Sequence, residues 1–142
     1  MKHKVQVWVY FRDQGGKFYF LLLLTTPERG AFWQPITGGV EAPETLEEAA
    51  LREVREETGL IFARNPIPVQ KSFEFESRGV HCFESGFFIQ AESQSGKLPF
   101  VQLDPSEHTA YRWVLAKDAL KWVRHASNAR MLRFVLQHLS SL

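Results

Sequence analysis

Glu53, Glu56 and Glu57 stand at spacings of i, i+3 and i+4, which place three carboxylates on one face of any helix that carries them. Glu41, Glu44, Glu47 and Glu48 precede them, and only Arg52 and Arg55 offset the charge. Seven acids less two bases leave residues 38–60 near −5, in a chain whose formal net charge is +1. Such a cluster calls for a cation. Hard carboxylate oxygens suit Mg²⁺, or Mn²⁺ in its place, since these ions keep several waters and accept phosphate oxygens as further ligands. On spacing alone, a solvated acidic helix face is the commoner meaning of a charge run, so the surrounding pattern decides.

The element that must hold these carboxylates is marked at both ends. Thr45-Leu46-Glu47-Glu48 is a capping box, in which Thr and the Glu three positions later satisfy free backbone N–H groups. Gly59 stands where a helix needs a left-handed residue to stop. A helix over about 46–58 follows, with Leu46, Ala50 and Val54 as its apolar stripe.

The whole stretch runs Gly38, five residues, Glu44, seven residues, Arg52-Glu53-Val54, one residue, Glu56-Glu57, one residue, Gly59-Leu60. It resembles, without mismatch, the loop-helix-loop signature of the Nudix hydrolases. The resemblance implies an α/β/α sandwich with a mixed β-sheet and a metal-dependent enzyme that cuts a diphosphate linkage. It also implies roles. Glu53 and Glu57 would be metal ligands and Glu56 a ligand or a group behind them, with Glu53 or Glu57 as the base, and Arg52 would orient a glutamate through a charge-assisted pair. Glu44 would brace the loop or hold an outer ligand, while Gly38 and Gly39 let the backbone come close to metal and phosphates.

Flanking residues bear on the substrate. Phe32-Trp33-Gln34-Pro35-Ile36-Thr37-Gly38 and Glu107-His108-Thr109-Ala110-Tyr111-Arg112-Trp113 are similar to stretches in the dihydroneopterin triphosphate pyrophosphatase branch, as is Ser127-Asn128. By that resemblance Glu107 supplies a metal ligand from outside the helix, and Thr37, Gly39 and Trp33 touch the substrate. Each has a plainer role too: Thr37 as a strand end, Trp33 as core, Glu107 as a partner for Arg112. Thr25-Thr26 stand where the branch tends to carry a basic residue, so a purine or pyrimidine nucleoside triphosphate stays open beside a pterin one.

Strands are expected at 4–11, Phe18–Leu24, Phe32–Thr37 and Tyr111–Leu115, with a hairpin of Val69–Ser77 and Val80–Glu92 across Arg78-Gly79. Pro66 and Pro68 punctuate the connection before it, and residues 93–104 read as a loop. Two helices close the chain, about Lys117–Val123 and Asn128–Leu139. Ser127 is the expected N-cap of the second, and Leu132, Val135, Leu136 and Leu139 form its buried stripe.

At 142 residues, 44% apolar and 23% charged, the chain fits one globular domain spanning 1–142. Cys82 is the only cysteine, which excludes an internal disulfide, and it reads as packing. No apolar run is long enough for a membrane span, and the N-terminus lacks the pattern of a signal peptide, so a cytoplasmic location is expected. The basic residues after His108 read as exposed helix faces. No dedicated nucleic-acid module is present. The expected partner is a small nucleotide-like substrate, and the family resemblance adds a homodimer as one arrangement.

The leading expectation is hydrolysis of dihydroneopterin triphosphate or a nucleoside triphosphate such as dATP to the monophosphate and pyrophosphate. A second enzymatic reading takes ADP-ribose, a nucleotide sugar, a dinucleoside polyphosphate or an RNA 5′ end. A third, a non-catalytic binding domain, is disfavoured because all three helix glutamates are present.

Overall fold

The computed structural model describes residues 1–140. Two long strands organise it. The first, β1 (Lys2–Arg12), runs parallel to the strand Val80–Gln90 over nearly its whole length, with Lys4 opposite Glu84 and Trp8 opposite Phe88. On its other side β1 meets two partners in turn. Its first half pairs with Ile36–Gly39, and its last residues pair with β2 (Phe18–Thr25), both antiparallel.

In chain order the remaining strands are β3 (Trp33–Gln34), β4 (Ile36–Gly39), β5 (Ile67–Ser77), β6 (Val80–Gln90) and β7 (His108–Leu115). They complete a seven-stranded mixed sheet with the order β3-β2-β1-β6-β5, β4 pairing with β1 and β7 with β2. The helices are α1 (Leu46–Thr58), α2 (Ala116–Trp122) and α3 (Ala126–Ser140).

Alternation along the strands sends side chains to opposite faces, so each face of the sheet builds its own core. Val5, Val7, Val9, Leu21, Leu23 and Ile36 pack against Ala49, Ala50 and Val54 of α1. Trp8, Tyr10, Phe20 and Leu22 pack against Ala119 of α2 and Met131, Leu132, Val135 and Leu139 of α3. Each fully buried aliphatic or aromatic side chain contributes about 1.5–3 kcal/mol, so both helix layers are held mainly by these stripes. The α/β sandwich expected from the sequence is therefore present.

Helix α1 has the expected ends. Thr45 Oγ1 accepts from Glu48 N at 3.1 Å and Glu48 Oε1 accepts from Thr45 N at 2.8 Å, while Gly59 takes a φ of 68° and closes the helix onto Arg55 O. The β5–β6 hairpin turns at Arg78-Gly79 with both residues at positive φ, the geometry that matches strand twist.

Three expectations need correction. The strand expected over 32–37 is two strands, because Pro35 has no N–H to continue a ladder: Trp33 and Gln34 pair with β2, and Ile36 onward pairs with β1. Pro68 lies inside β5 opposite Phe87 rather than in a connection. The strand is at the sheet edge, where a missing donor is tolerated. Helix α3 begins at Ala126, its first backbone bond running from Ala129 N to His125 O at 3.1 Å, so Ser127 sits in the first turn and is not the N-cap.

Candidate active site

The acidic face of α1 is organised by one guanidinium. Arg52 grips Glu44 with a fork, Nη2 to Oε1 at 2.7 Å and Nε to Oε2 at 3.0 Å. Its Nη2 also donates to the Gly39 carbonyl at 2.8 Å, and its Nη1 donates to Glu53 at 2.9 Å and Glu56 at 3.3 Å. Glu44 Oε1 accepts a second bond from Glu41 N at 2.7 Å. One side chain thus ties the loop before the helix to the carboxylates on it. The pairing raises the Arg52 pKa still further, and Arg52 followed by Glu41 N holds Glu44 below the usual carboxylate range.

Glu53 and Glu57 are buried, at 9% and 7% exposure, while Glu56 faces solvent. Burial pushes the Glu53 pKa up; Arg52 draws it down, and the charges of Glu56 and Glu57 push it up again. Glu57 Oε2 meets His108 Nδ1 at 3.0 Å, and His108 Nε2 meets Gln34 Nε2 at 3.0 Å. A carboxylate can only accept and an amide NH₂ can only donate, so one tautomer satisfies both contacts: the proton on Nδ1, the lone pair on Nε2. The buried imidazole fixes the Glu57 carboxylate.

Gly38 is required by this arrangement. A Cβ added there would run into the Glu53 carboxyl group. Its neighbour Thr37 points to the other face of the sheet, beside Gln6. Thr37 lines a cavity of about 520 Å³ bounded by β1, β4, β5, β6 and the start of α3. Lys4, Arg29, Phe73, Phe75 and Glu84 are among its walls. Lys4 Nζ lies 5.8 Å from the Phe75 ring centre and Arg130 Cζ 4.5 Å from that of Phe73, so the aromatic walls carry cations. Thr37 and Gly38 therefore join the cavity on one face to the carboxylate helix on the other.

Other candidates lie at the edge of this constellation. Glu107 is paired with Arg29 at 2.7 Å, both side chains partly exposed, and not with Arg112. Trp33 packs edge-to-face on Trp122, with ring centres 5.6 Å apart, in the core beside α2 and α3.

Among the described residues no three His, Cys, Asp or Glu side chains form a ready cage for a metal ion. The donor chemistry nonetheless fits a hard divalent ion: three carboxylates on one helix face, two of them buried, beside a strand end kept free of side chain at Gly38. An ion that keeps several waters and takes phosphate oxygens does not need a closed protein cage.

A family model described as the NUDIX domain matches residues 2–135. The chain belongs to the Nudix hydrolase family. Its relatives include a dihydroneopterin triphosphate diphosphatase of Haemophilus influenzae, 29% identical over 95% of this chain and 87% of that one. The Escherichia coli K12 protein of the same name is 33% identical over 82% of this chain and 83% of its own length. Among solved structures, a C. elegans Ap4A hydrolase covers all of both chains with a TM-score of 0.81 at 24% identity, a likeness of fold. This Nudix hydrolase is thus an enzyme of nucleotide-linked diphosphates, and the family generally uses divalent metal ions.

Two features of the Nudix site escaped the sequence reading. The sequence places His108 only within the stretch Glu107–Trp113, without its bridge to Glu57. Gln6 and Glu84 have no role in that reading, although Gln6 is a polar residue between Val5 and Val7 and Glu84 follows Cys82-Phe83. That interruption was the available signal.

Proposed function

We propose that this chain hydrolyses a nucleoside-triphosphate-like substrate, dihydroneopterin triphosphate or a nucleoside triphosphate such as dATP, to the monophosphate and pyrophosphate. The observation that carries the reading is the pair of buried carboxylates, Glu53 and Glu57, each held by its own partner, Arg52 and His108, on the sheet face opposite a nucleotide-sized cavity that Thr37 lines. The relatives' names support the triphosphate class.

Glu53, Glu56 and Glu57 would hold Mg²⁺, with Mn²⁺ as a substitute, and the Gly38 backbone would stand beside it. Such an ion, when bound, lowers the pKa of a water and neutralises phosphate charge. Arg52 holds Glu53 and Glu56 toward one side, so their charge is gathered in a fixed place. Glu57 or Glu53 takes the proton from water as its oxygen attacks an inner phosphorus. The bond to the bridging oxygen breaks, and pyrophosphate carries away the electron pair. Thr37 and Gly39 contact the phosphates from the strand end. Glu107 would supply a further ligand for that ion from outside the helix, freed by Arg29, which lines the cavity and suits the substrate's negative charge.

The test is product analysis with Mg²⁺ across dihydroneopterin triphosphate, the common nucleoside triphosphates, ADP-ribose, a dinucleoside tetraphosphate and triphosphorylated RNA. Pyrophosphate from a triphosphate supports the reading. Activity confined to the last three overturns the substrate class.

A further inference from the structure

The cavity contains a carboxylate that the cleavage chemistry does not use. Glu84 is 5% exposed, on β6, and its side chain lines the cavity. Its Oε1 accepts from Gln6 Nε2 at 2.7 Å, and Gln6 Oε1 accepts from Trp8 Nε1 at 2.8 Å. The chain of bonds has only one direction. An indole N–H is a donor alone, so the Gln6 oxygen must face Trp8 and the Gln6 NH₂ must face Glu84. Gln6 therefore presents Glu84 as an acceptor and fixes its rotamer.

The second oxygen, Oε2, has no hydrogen-bond partner among the described residues, yet no unpartnered buried side-chain atom remains among them. That oxygen therefore opens to the cavity. Asn128, in the first turn of α3, is in the same position: it is 4% exposed, lines the cavity, and its amide has no partner among the described residues. Burial pushes the Glu84 pKa up, while the Gln6 bond and Lys4, its neighbour across β1, draw it down.

We propose that Glu84 reads the heterocycle of the substrate, its open Oε2 and the second lone pair of Oε1 accepting two N–H bonds from a 2-amino-4-oxopyrimidine edge, as found in guanine and pterin, while Asn128 donates to the ring carbonyl. The proposal rests on the triphosphate reading and narrows it. An adenine edge offers one amino group beside a ring-nitrogen lone pair, which a carboxylate repels. A cytosine edge fails for the same reason. A site that must satisfy a buried acceptor discriminates strongly against a ligand that cannot donate to it. Phe73 and Phe75 supply faces against which any of these rings could stack, so stacking does not choose among them.

Glu84→Gln separates reading from folding. The amide keeps an oxygen for Gln6 Nε2 and turns an NH₂ toward the cavity, which suits adenine's ring nitrogen. The experiment compares kcat/KM for dGTP, dITP and dATP in the wild type and in Glu84→Gln, with dGMP, dIMP and dAMP binding measured by calorimetry. The wild type is expected to favour dGTP over dITP by about tenfold and over dATP by about a hundredfold, the discrimination a forked base contact gives. Glu84→Gln should lose roughly a hundredfold on dGTP and hold or gain on dATP. Equal loss on all three, no change, or a wild type that prefers dATP overturns the proposal. If neither protein cleaves any triphosphate, the proposed function falls, and the monophosphates decide Glu84 by themselves. Binding in the order dGMP, dIMP, dAMP that Glu84→Gln abolishes sustains the inference, and equal binding overturns it.

Discussion

The bridge from Gln34 through His108 to Glu57 makes a prediction in which stability and turnover separate. The two ring nitrogens do different work: Nδ1 donates to Glu57 at 3.0 Å and Nε2 accepts from Gln34 at 3.0 Å. The amide nitrogen of Asn falls near the position of Nδ1, whereas the end of Gln reaches that of Nε2. His108→Asn therefore keeps the bond to Glu57 and leaves the buried Gln34 amide without an acceptor. An unsatisfied buried donor costs about 1–3 kcal/mol, or roughly 3–10 °C in melting temperature for a chain of this size. His108→Gln does the reverse. It keeps Gln34 satisfied and frees the Glu57 carboxylate to rotate, which should lower turnover by roughly 10–100-fold, the usual effect of removing the group that orients a metal ligand. The assay is thermal unfolding alongside steady-state pyrophosphate release with Mg²⁺. His108→Asn should melt lower and retain most activity; His108→Gln should lose roughly 10–100-fold in turnover. Parallel losses in both variants, or full activity in His108→Gln, would refute the assignment of one task to each nitrogen.

Gly38→Ala drives a methyl group into the Glu53 carboxyl, and turnover should drop at least about tenfold while circular dichroism stays native. Arg52→Lys cannot make the fork to Glu44 and the bond to Gly39 O together, so Mg²⁺ titrations should show a weaker apparent affinity by about tenfold. Glu107→Gln is expected to cut turnover by roughly tenfold with the melting temperature kept, and wild-type turnover removes Glu107 from the ligand set. Glu84 gives a pH prediction. Its folded pKa is raised above the unfolded value by burial, so its contribution to stability is fully present below the unfolded value and is lost as pH rises through the folded one. Glu84→Gln should therefore melt higher than the wild type at about pH 8, with the gap closing toward about pH 4; a constant gap contradicts the burial argument.

What could be read from the sequence was what is local. The capping box at Thr45, the stop at Gly59 and the stripe of Leu46, Ala50 and Val54 lie within one helix, so propensity and periodicity specify them without tertiary help. The Arg78-Gly79 turn is likewise a matter of two residues. What stayed hidden depends on chain segments far apart. Glu84 meets Gln6 across 78 positions and His108 meets Glu57 across 51, and no local pattern records either pairing. The parallel union of β1 with β6 is what brings Gln6 and Glu84 together. The sequence reading runs a strand through Pro35 and keeps Pro68 outside one, yet Pro35 splits a strand and Pro68 sits within an edge strand, because sheet position decides what a missing N–H means.

The central claim is that the carboxylate face of α1 cleaves a triphosphate. It is tested most directly by pyrophosphate release from dihydroneopterin triphosphate and dGTP with Mg²⁺, wild type beside Glu57→Gln, with circular dichroism on both. The account predicts pyrophosphate from the wild type and a rate at least about a hundredfold lower in a natively folded Glu57→Gln. A Glu57→Gln protein that releases pyrophosphate at the wild-type rate would contradict it.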